Sequence, residues 1–193
     1  MQEEKSLSEN GTNLNPEFLI NQMTSGRRLP REFFIRDVLV VAPELPGKKL
    51  VVRMVDGRYG RFQITEVEAY RGSEDKACHA CRGRTARTEI MFHEGGRLYI
   101  YLIYGMYWML NIVTGKENDP QAVLIRGLEN YQGPGKLTKS FGIDRSFYGE
   151  DLVFSKRIWI EDAGVTPVIK IAARIGIEYA GEYWKTRPWR FYV

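Results

Sequence analysis

The chain has 193 residues, 44% apolar and 27% charged, a length that suits one domain with a sizeable core. No run approaches the roughly 18 apolar residues of a membrane span, and MQEEKSLSENGTNLN at the start has neither the basic nor the apolar part of a secretory leader. Residues 1–26 hold four Glu against one Lys, a net −3 against +4 overall, so +7 falls on the rest: a basic body that suits nucleic acid, or an ordinary solubilising surface.

In chain order, residues 1–26 read as a polar tail in which Asn15-Pro16-Glu17 forms an N-cap with Pro at the first helical position, opening a short helix that Gly26 closes. A second short helix is expected from Pro30 (PREFFIRD). Strand signals follow: DVLVVA, then KLVVRMV and RFQITEVEAY joined by DGRYG, a hairpin-type connection. SEDKACHA reads as one helical turn or two. RLYIYLIY and YWMLNIV form the next strand pair, AVLIRGL a further strand, and GPGKLTKSFGI a loop feeding a short helix. RIWIEDA reads as a strand, and VIKIAARIGIEYAGEYWKTRPWRFYV as strand, loop and aromatic end. The sum is an α+β fold: a single domain, residues 27–193, on a curved, mostly antiparallel β-sheet with short peripheral helices and a protruding β-hairpin.

Three groups of residues carry chemistry. In RFQITEVEAY the strand period of two puts Phe62, Ile64, Glu66, Glu68 and Tyr70 on one face and Thr65, Val67 and Ala69 on the other. A carboxylate on a strand covered from both sides has a raised pKa and can transfer protons near neutral pH. Periodicity leaves open which Glu that is, and a solvated strand end is the competing reading. His79 lies in ACHAC between Cys78 and Cys81. C-x-x-C could give two metal ligands, but no second pair accompanies it, so no metal is expected and His79 reads as a pocket wall. Two cysteines are no disulfide framework and point to a reducing compartment. Arg82, Arg84, Arg87, Arg97, Arg126, Lys136 and Lys139 surround the tyrosine-rich strands, the pattern expected where phosphates are neutralised and bases stacked. GPGK at 133–136 adds exposed amides and an ammonium, well short of a full P-loop.

Taken together, EVEAYRGSEDKACHA, RTARTEIMF, RLYIYLIYGMYWMLNIV, AVLIRGLE, GPGKLTK and ARIGIEYAGE…WRFYV resemble the alkyladenine (3-methyladenine) DNA glycosylase family, in the family's order and over about Leu29 to Val193. The resemblance implies an enzyme that flips a damaged purine out of double-stranded DNA and hydrolyses its N-glycosidic bond without cutting the strand, with no cofactor. It assigns Glu68, not Glu66, as general base and Arg126, with a backbone carbonyl at Ile175, as holder of the attacking water. Tyr70, His79 and Tyr101 would sandwich the base, the Ala77 and His79 backbone would read its edge, and Asn111 would exclude guanine. Tyr104 would intercalate, flanked by Met106 and Tyr107, while Arg84, Thr85, Arg87 and Lys136 would hold the DNA backbone. Expected substrates are 3-methyladenine, 7-methylguanine, hypoxanthine and ethenoadenine, acted on by a monomer with no membrane partner. A prokaryotic cytoplasm or a eukaryotic nucleus fits, and the tail without a basic localisation run favours the former. A non-catalytic damage-binding module is the alternative. Only Asn130-Tyr131-Gln132 intervene where the family carries a longer connection.

Overall fold

A computed structural model of the chain describes residues 26–54 and 56–193, so the helix expected from Asn15-Pro16 lies outside the described residues. β1 (Arg27–Arg28) precedes α1 (Arg31–Phe34), the short helix expected from Pro30. Next comes α2 (Val38–Glu44), capped by the Asp37 carboxylate, which accepts the Leu39 N–H at 2.8 Å. This corrects the strand reading of DVLVVA. Val38, Val41, Ala42 and Leu45 recur at helical spacing and are all fully buried. One buried helical face and a capped end outweigh the roughly 0.5 kcal/mol per residue by which valine disfavours helix.

β2 (Lys49–Arg53) and β3 (Tyr59–Arg71) form the expected hairpin. The segment after β3 holds a single 3₁₀ turn at His79–Arg82, and a second such turn spans Glu89–Phe92. β4 (Leu98–Ile103), β5 (Tyr107–Thr114), β6 (Gln121–Leu128) and the short β7 (Tyr131–Gln132) follow, then α3 (Pro134–Ser140). The chain closes with β8 (Ile158–Asp162), β9 (Lys170–Ala172), α4 (Glu182–Lys185) and β10 (Arg190–Tyr192). The sheet order is β1-β8-β2-β3-β6-β5-β4, with β10 joining β3 to β9 and β7 added to β6. Every pairing among the described residues is antiparallel. The α+β reading holds.

One face of the sheet packs on the helices, with Ile64, Val67, Ile100, Leu110 and Ile125 against Phe34, Val38 and Leu137. The other face carries a smaller cluster around Tyr99, Val113 and Met91. Strict alternation along β3 fails at one place. The β3–β6 register slips between Ile64 and Glu66 and back between Glu66 and Val67, making Thr65 an extra residue on β3 and Arg126 one on β6. Bulges re-aim side chains. Here they turn Ile64 to the core face with Val67 and Ala69, away from Glu66 and Glu68. Gly127, opposite Glu66, permits the approach: a Cβ there would lie 2.9 Å from Thr65 Oγ1 and 3.2 Å from Glu66 Cβ.

The β4–β5 hairpin turns through Tyr104 and Gly105, both at positive φ (53° and 68°), with the Met106 N–H donated to the Ile103 carbonyl. Such a turn favours Asn-Gly, and a non-glycine residue in the left-handed region costs roughly 1–2 kcal/mol. Tyr104 is nonetheless 82% exposed. α3 braces the hairpin from beneath, Gly135 lying so close that a Cβ would sit 2.6 Å from Tyr107 Cδ1 and 2.9 Å from its Cβ. Gly135→Ala is therefore expected to cost about 1–3 kcal/mol in urea unfolding, since the ring has a rigid helix behind it; an unchanged midpoint would show that the hairpin base yields freely.

Candidate active site

Two strands and one loop converge on a single carboxylate. Glu68, from the middle of β3, is wholly buried. Its Oε2 accepts the Tyr70 hydroxyl at 2.8 Å, and its Oε1 accepts the Ile175 N–H at 2.7 Å from the loop between β9 and α4. Arg126 Nη1 lies 3.4 Å from Oε2. Burial pushes the Glu68 carboxyl above its ordinary range, and Arg126, the Ile175 amide and the Tyr70 hydroxyl offset only part of that shift. A carboxylate so placed is dry, oriented on both oxygens and basic for its kind.

Beside it opens a cavity of about 540 Å³. Its walls include Tyr70, Ala77, His79, Tyr101, Asn111 and Ile175, so the structure brings together all six expected pocket residues and Arg126. Alternation on β4 and β5 sends Tyr99, Tyr101, Met109 and Asn111 to this side. The Asn111 amide is fixed, donating to the carbonyls of Tyr99 (3.1 Å) and Met109 (3.2 Å). His79 Nδ1 meets the Tyr99 hydroxyl at 2.8 Å, and its ring stands edge-on to Tyr101 at 4.7 Å. Burial first, then the Arg87 and Arg82 charges, lower the His79 pKa to about 4, so the ring is neutral at physiological pH. The Ala77 carbonyl accepts the Tyr179 hydroxyl at 3.1 Å across the cavity mouth.

The charged residues in the lining are all cations: Lys76, Arg82, Arg87 and Arg126. Arg87, expected on the DNA backbone, is exposed and sits 5.0 Å over the Tyr101 ring at the cavity, while Arg174 lies 4.8 Å over Tyr70. Both tyrosines therefore already spend part of their cation–π capacity on arginine. Arg84 and Thr85 are exposed on the adjoining loop, Arg84 being tied to Asn118 Oδ1 at 2.6 Å, and Lys136 is exposed on α3. Tyr104 reaches the cavity rim, whereas Met106 and Tyr107 face the far side of the hairpin, beside α3. Cys78 is buried and Cys81 exposed; among the described residues no three His, Cys, Asp or Glu converge as metal ligands.

The match of this chain to the Methylpurine-DNA glycosylase family covers residues 32–132 and 129–193. The chain belongs to that family. Its two matched blocks meet at the short connection that contains β7. A protein of Methanocella arvoryzae described as "Putative 3-methyladenine DNA glycosylase" is 44% identical over 184 residues, covering 85% of this chain and 91% of its own. Proteins of the same description from Psychrobacter cryohalolentis (40% identical; 85% and 91% covered) and Legionella pneumophila (45%; 86% and 94%) are similar to it as well. The chain is thus a DNA glycosylase, a base-excision-repair hydrolase of N-glycosyl bonds whose substrate is DNA.

Sequence reasoning passed over the glycosylase's second support layer. Arg174 and Asp75 form a wholly buried ion pair (Nη1–Oδ2 2.5 Å, Nη2–Oδ1 2.9 Å). Asp75 also takes the Arg71 and Ala77 N–H groups, and Arg174 the Ala69 carbonyl, so one pair ties β3, the Ala77 loop and the Ile175 loop together. Breaking such a pair from one side leaves an uncompensated buried charge. An arginine inside AARIGI was the available signal. Glu66, set aside in favour of Glu68, bonds both Arg126 and Arg190.

Neutral His79 can be checked directly. Its folded pKa of about 4 lies below the ordinary 6.5, so it adds no penalty above that range and destabilises the fold increasingly as pH falls toward 4. NMR of the imidazole should show a midpoint near 4; one at or above 6.5 would mean a solvated or anion-paired ring.

Proposed function

We propose that the glycosylase draws a damaged purine nucleotide out of duplex DNA into the 540 Å³ cavity and hydrolyses its N-glycosidic bond with a water activated by Glu68, leaving an abasic site. The observation that carries the reading is a fully buried carboxylate, held on both oxygens, beside a cavity walled by aromatic rings. Glu68 takes the proton of the water as its oxygen attacks C1′ of the sugar, and the purine departs with the electrons of the glycosidic bond. A 3- or 7-alkylated purine is cationic and leaves as a neutral base. Hypoxanthine and ethenoadenine require protonation as they leave. Arg126, 3.4 Å from Glu68 Oε2, holds the water with the Ile175 carbonyl, and the displacement follows the logic of inverting glycoside hydrolysis.

Base selection rests on the walls. Tyr70, His79 and Tyr101 stack on the flipped ring, the Ala77 and His79 backbone reads its edge, and the tethered Asn111 disfavours the 2-amino group of unmodified guanine, a penalty that 7-methylguanine, with the same group, overcomes because its cationic base is already a labile leaving group. Substrates by this reading are 3-methyladenine, 7-methylguanine, hypoxanthine and ethenoadenine. The neutral His79 suits them all, because it adds no charge against a cationic lesion. Tyr104, with Met106 and Tyr107 behind it, fills the gap left in the stack. Filling that gap recovers part of the few kcal/mol that unstacking costs. Arg84, Thr85, Arg87 and Lys136 hold phosphates, and the protein works as a monomer without strand cleavage.

Single-turnover release of free hypoxanthine from a lesion duplex tests the base. Glu68→Gln is expected to lose about 10²–10⁴-fold in excision while binding the lesion duplex as the parent does; excision at the parental rate would overturn the assignment. Tyr104→Ser should weaken lesion binding in a perfect duplex far more than excision of a lesion already extruded in a bulge. Equal losses on both substrates would contradict the wedge.

A further inference from the structure

Glu68 is one member of a closed circuit that the reaction just described does not use in full. Arg126 Nη1 faces Glu68 Oε2 at 3.4 Å, while its Nε donates to Glu66 Oε1 at 3.0 Å. The same Glu66 oxygen accepts Arg190 Nη1 at 3.1 Å, and Arg190 Nε donates to the Ala173 carbonyl at 3.0 Å. Two residues on, the Ile175 N–H returns to Glu68 Oε1 at 2.7 Å. β10 places Arg190 directly opposite Glu68 in the register and Tyr192 opposite Glu66. All four charged side chains are at most 22% exposed. Alternation from the Glu68–Leu124 pair already puts Glu66 and Arg126 on this face, and the bulges beyond them turn the Ile64–Leu128 pair to the core.

We propose that Glu66 and Arg190 are positioning residues that clamp Arg126 against Glu68, so that the attacking water meets a fixed donor beside a fixed acceptor. The inference rests on Glu68 being the base. Neither residue lines the cavity; Glu66 acts through its bond to Arg126, which does, and Arg190 acts through Glu66. A guanidinium held at Nε by one carboxylate keeps its Nη1 turned to the other, and misplacing a positioned group by about 1 Å can cost on the order of 100-fold in rate.

The clamp also sets the charge balance. Around Glu68 stand Tyr70 and Glu66 on its own strand, Arg126 on β6, Arg190 on β10, Tyr101 on β4, and Arg174 with its partner Asp75. Removing the Glu66 charge leaves an unbalanced cation facing Glu68 and favours its ionised form. Removing the Arg190 charge leaves Glu66 to draw Arg126 to itself and disfavours it.

The test is single-turnover hypoxanthine excision by the full chain between pH 4.5 and 9, with lesion binding measured alongside. Glu66→Gln should lose about tenfold at pH 7 and move the acid limb to lower pH; Arg190→Gln should move it to higher pH. Arg190→Lys, which keeps the charge, should restore the parental limb and keeps the test alive if Arg190→Gln does not fold. Binding should change by less than twofold. Parental rate and limb in Glu66→Gln, or shifts of the same sign in Glu66→Gln and Arg190→Gln, would overturn the clamp. Glu68→Gln serves as control: if it excises normally the proposed base fails, whereas an inactive Glu68→Gln beside unshifted limbs sinks the clamp alone.

Discussion

A carboxylate kept dry in the middle of a sheet is the constraint on which the rest of this structure depends. Desolvation favours its neutral form, and an unpaired buried charge costs several kcal/mol. Three donors from three different segments meet Glu68: a hydroxyl two residues along its own strand, a guanidinium from β6 and a backbone amide from the loop after β9. Together they hold it in one orientation without cancelling the effect of burial. The fold therefore supplies a carboxylate that is fixed in place and holds its proton more tightly than a solvated glutamate, as the proposed base requires.

Meeting that constraint shapes the neighbouring elements. Arg126 and Glu66 share the side of Glu68 by alternation, and the β3–β6 ladder gives up its regular register just beyond them, so that Ile64 and Leu128 return to the core. Arg174 and Asp75 fasten the two loops that deliver the Ile175 amide and the Ala77 and His79 wall. The hairpin has a support of its own: α3 packs under Tyr107, while Tyr104 points outward in a conformation that tyrosine ordinarily avoids. Strain at that tip and burial at Glu68 are the two local costs, and each coincides with a proposed role in the reaction.

Much of this was legible in the sequence. Alternating strands such as LYIYLI and YWMLNIV report their faces correctly, because a strand buried on both sides still obeys a period of two. DVLVVA misled because β-branched residues suggest strand, while the Asp37 cap and the spacing of Val38, Val41, Ala42 and Leu45 decide for helix. In RFQITEVEAY the period itself breaks, and nothing in the residue types marks Thr65 or Arg126 as bulged; a bulge is a property of the pair of strands. The choice of Glu68 over Glu66 came from resemblance; alternation puts both on one face, and only the structure shows that Glu68 is wholly buried while Glu66 is partly exposed. Arg174 and Arg190 went unread because their partners, Asp75 and Glu66, lie 99 and 124 residues away.

The account stands on one property of one group. A ¹³C-carboxyl titration of Glu68 in the intact protein, recorded beside the pH dependence of single-turnover hypoxanthine release, measures it most directly. The account predicts a midpoint above the ordinary glutamate value of 4.5, with the acid limb of the rate falling on the same midpoint. A Glu68 midpoint at or below 4.5, or an acid limb that follows some other group, would contradict it.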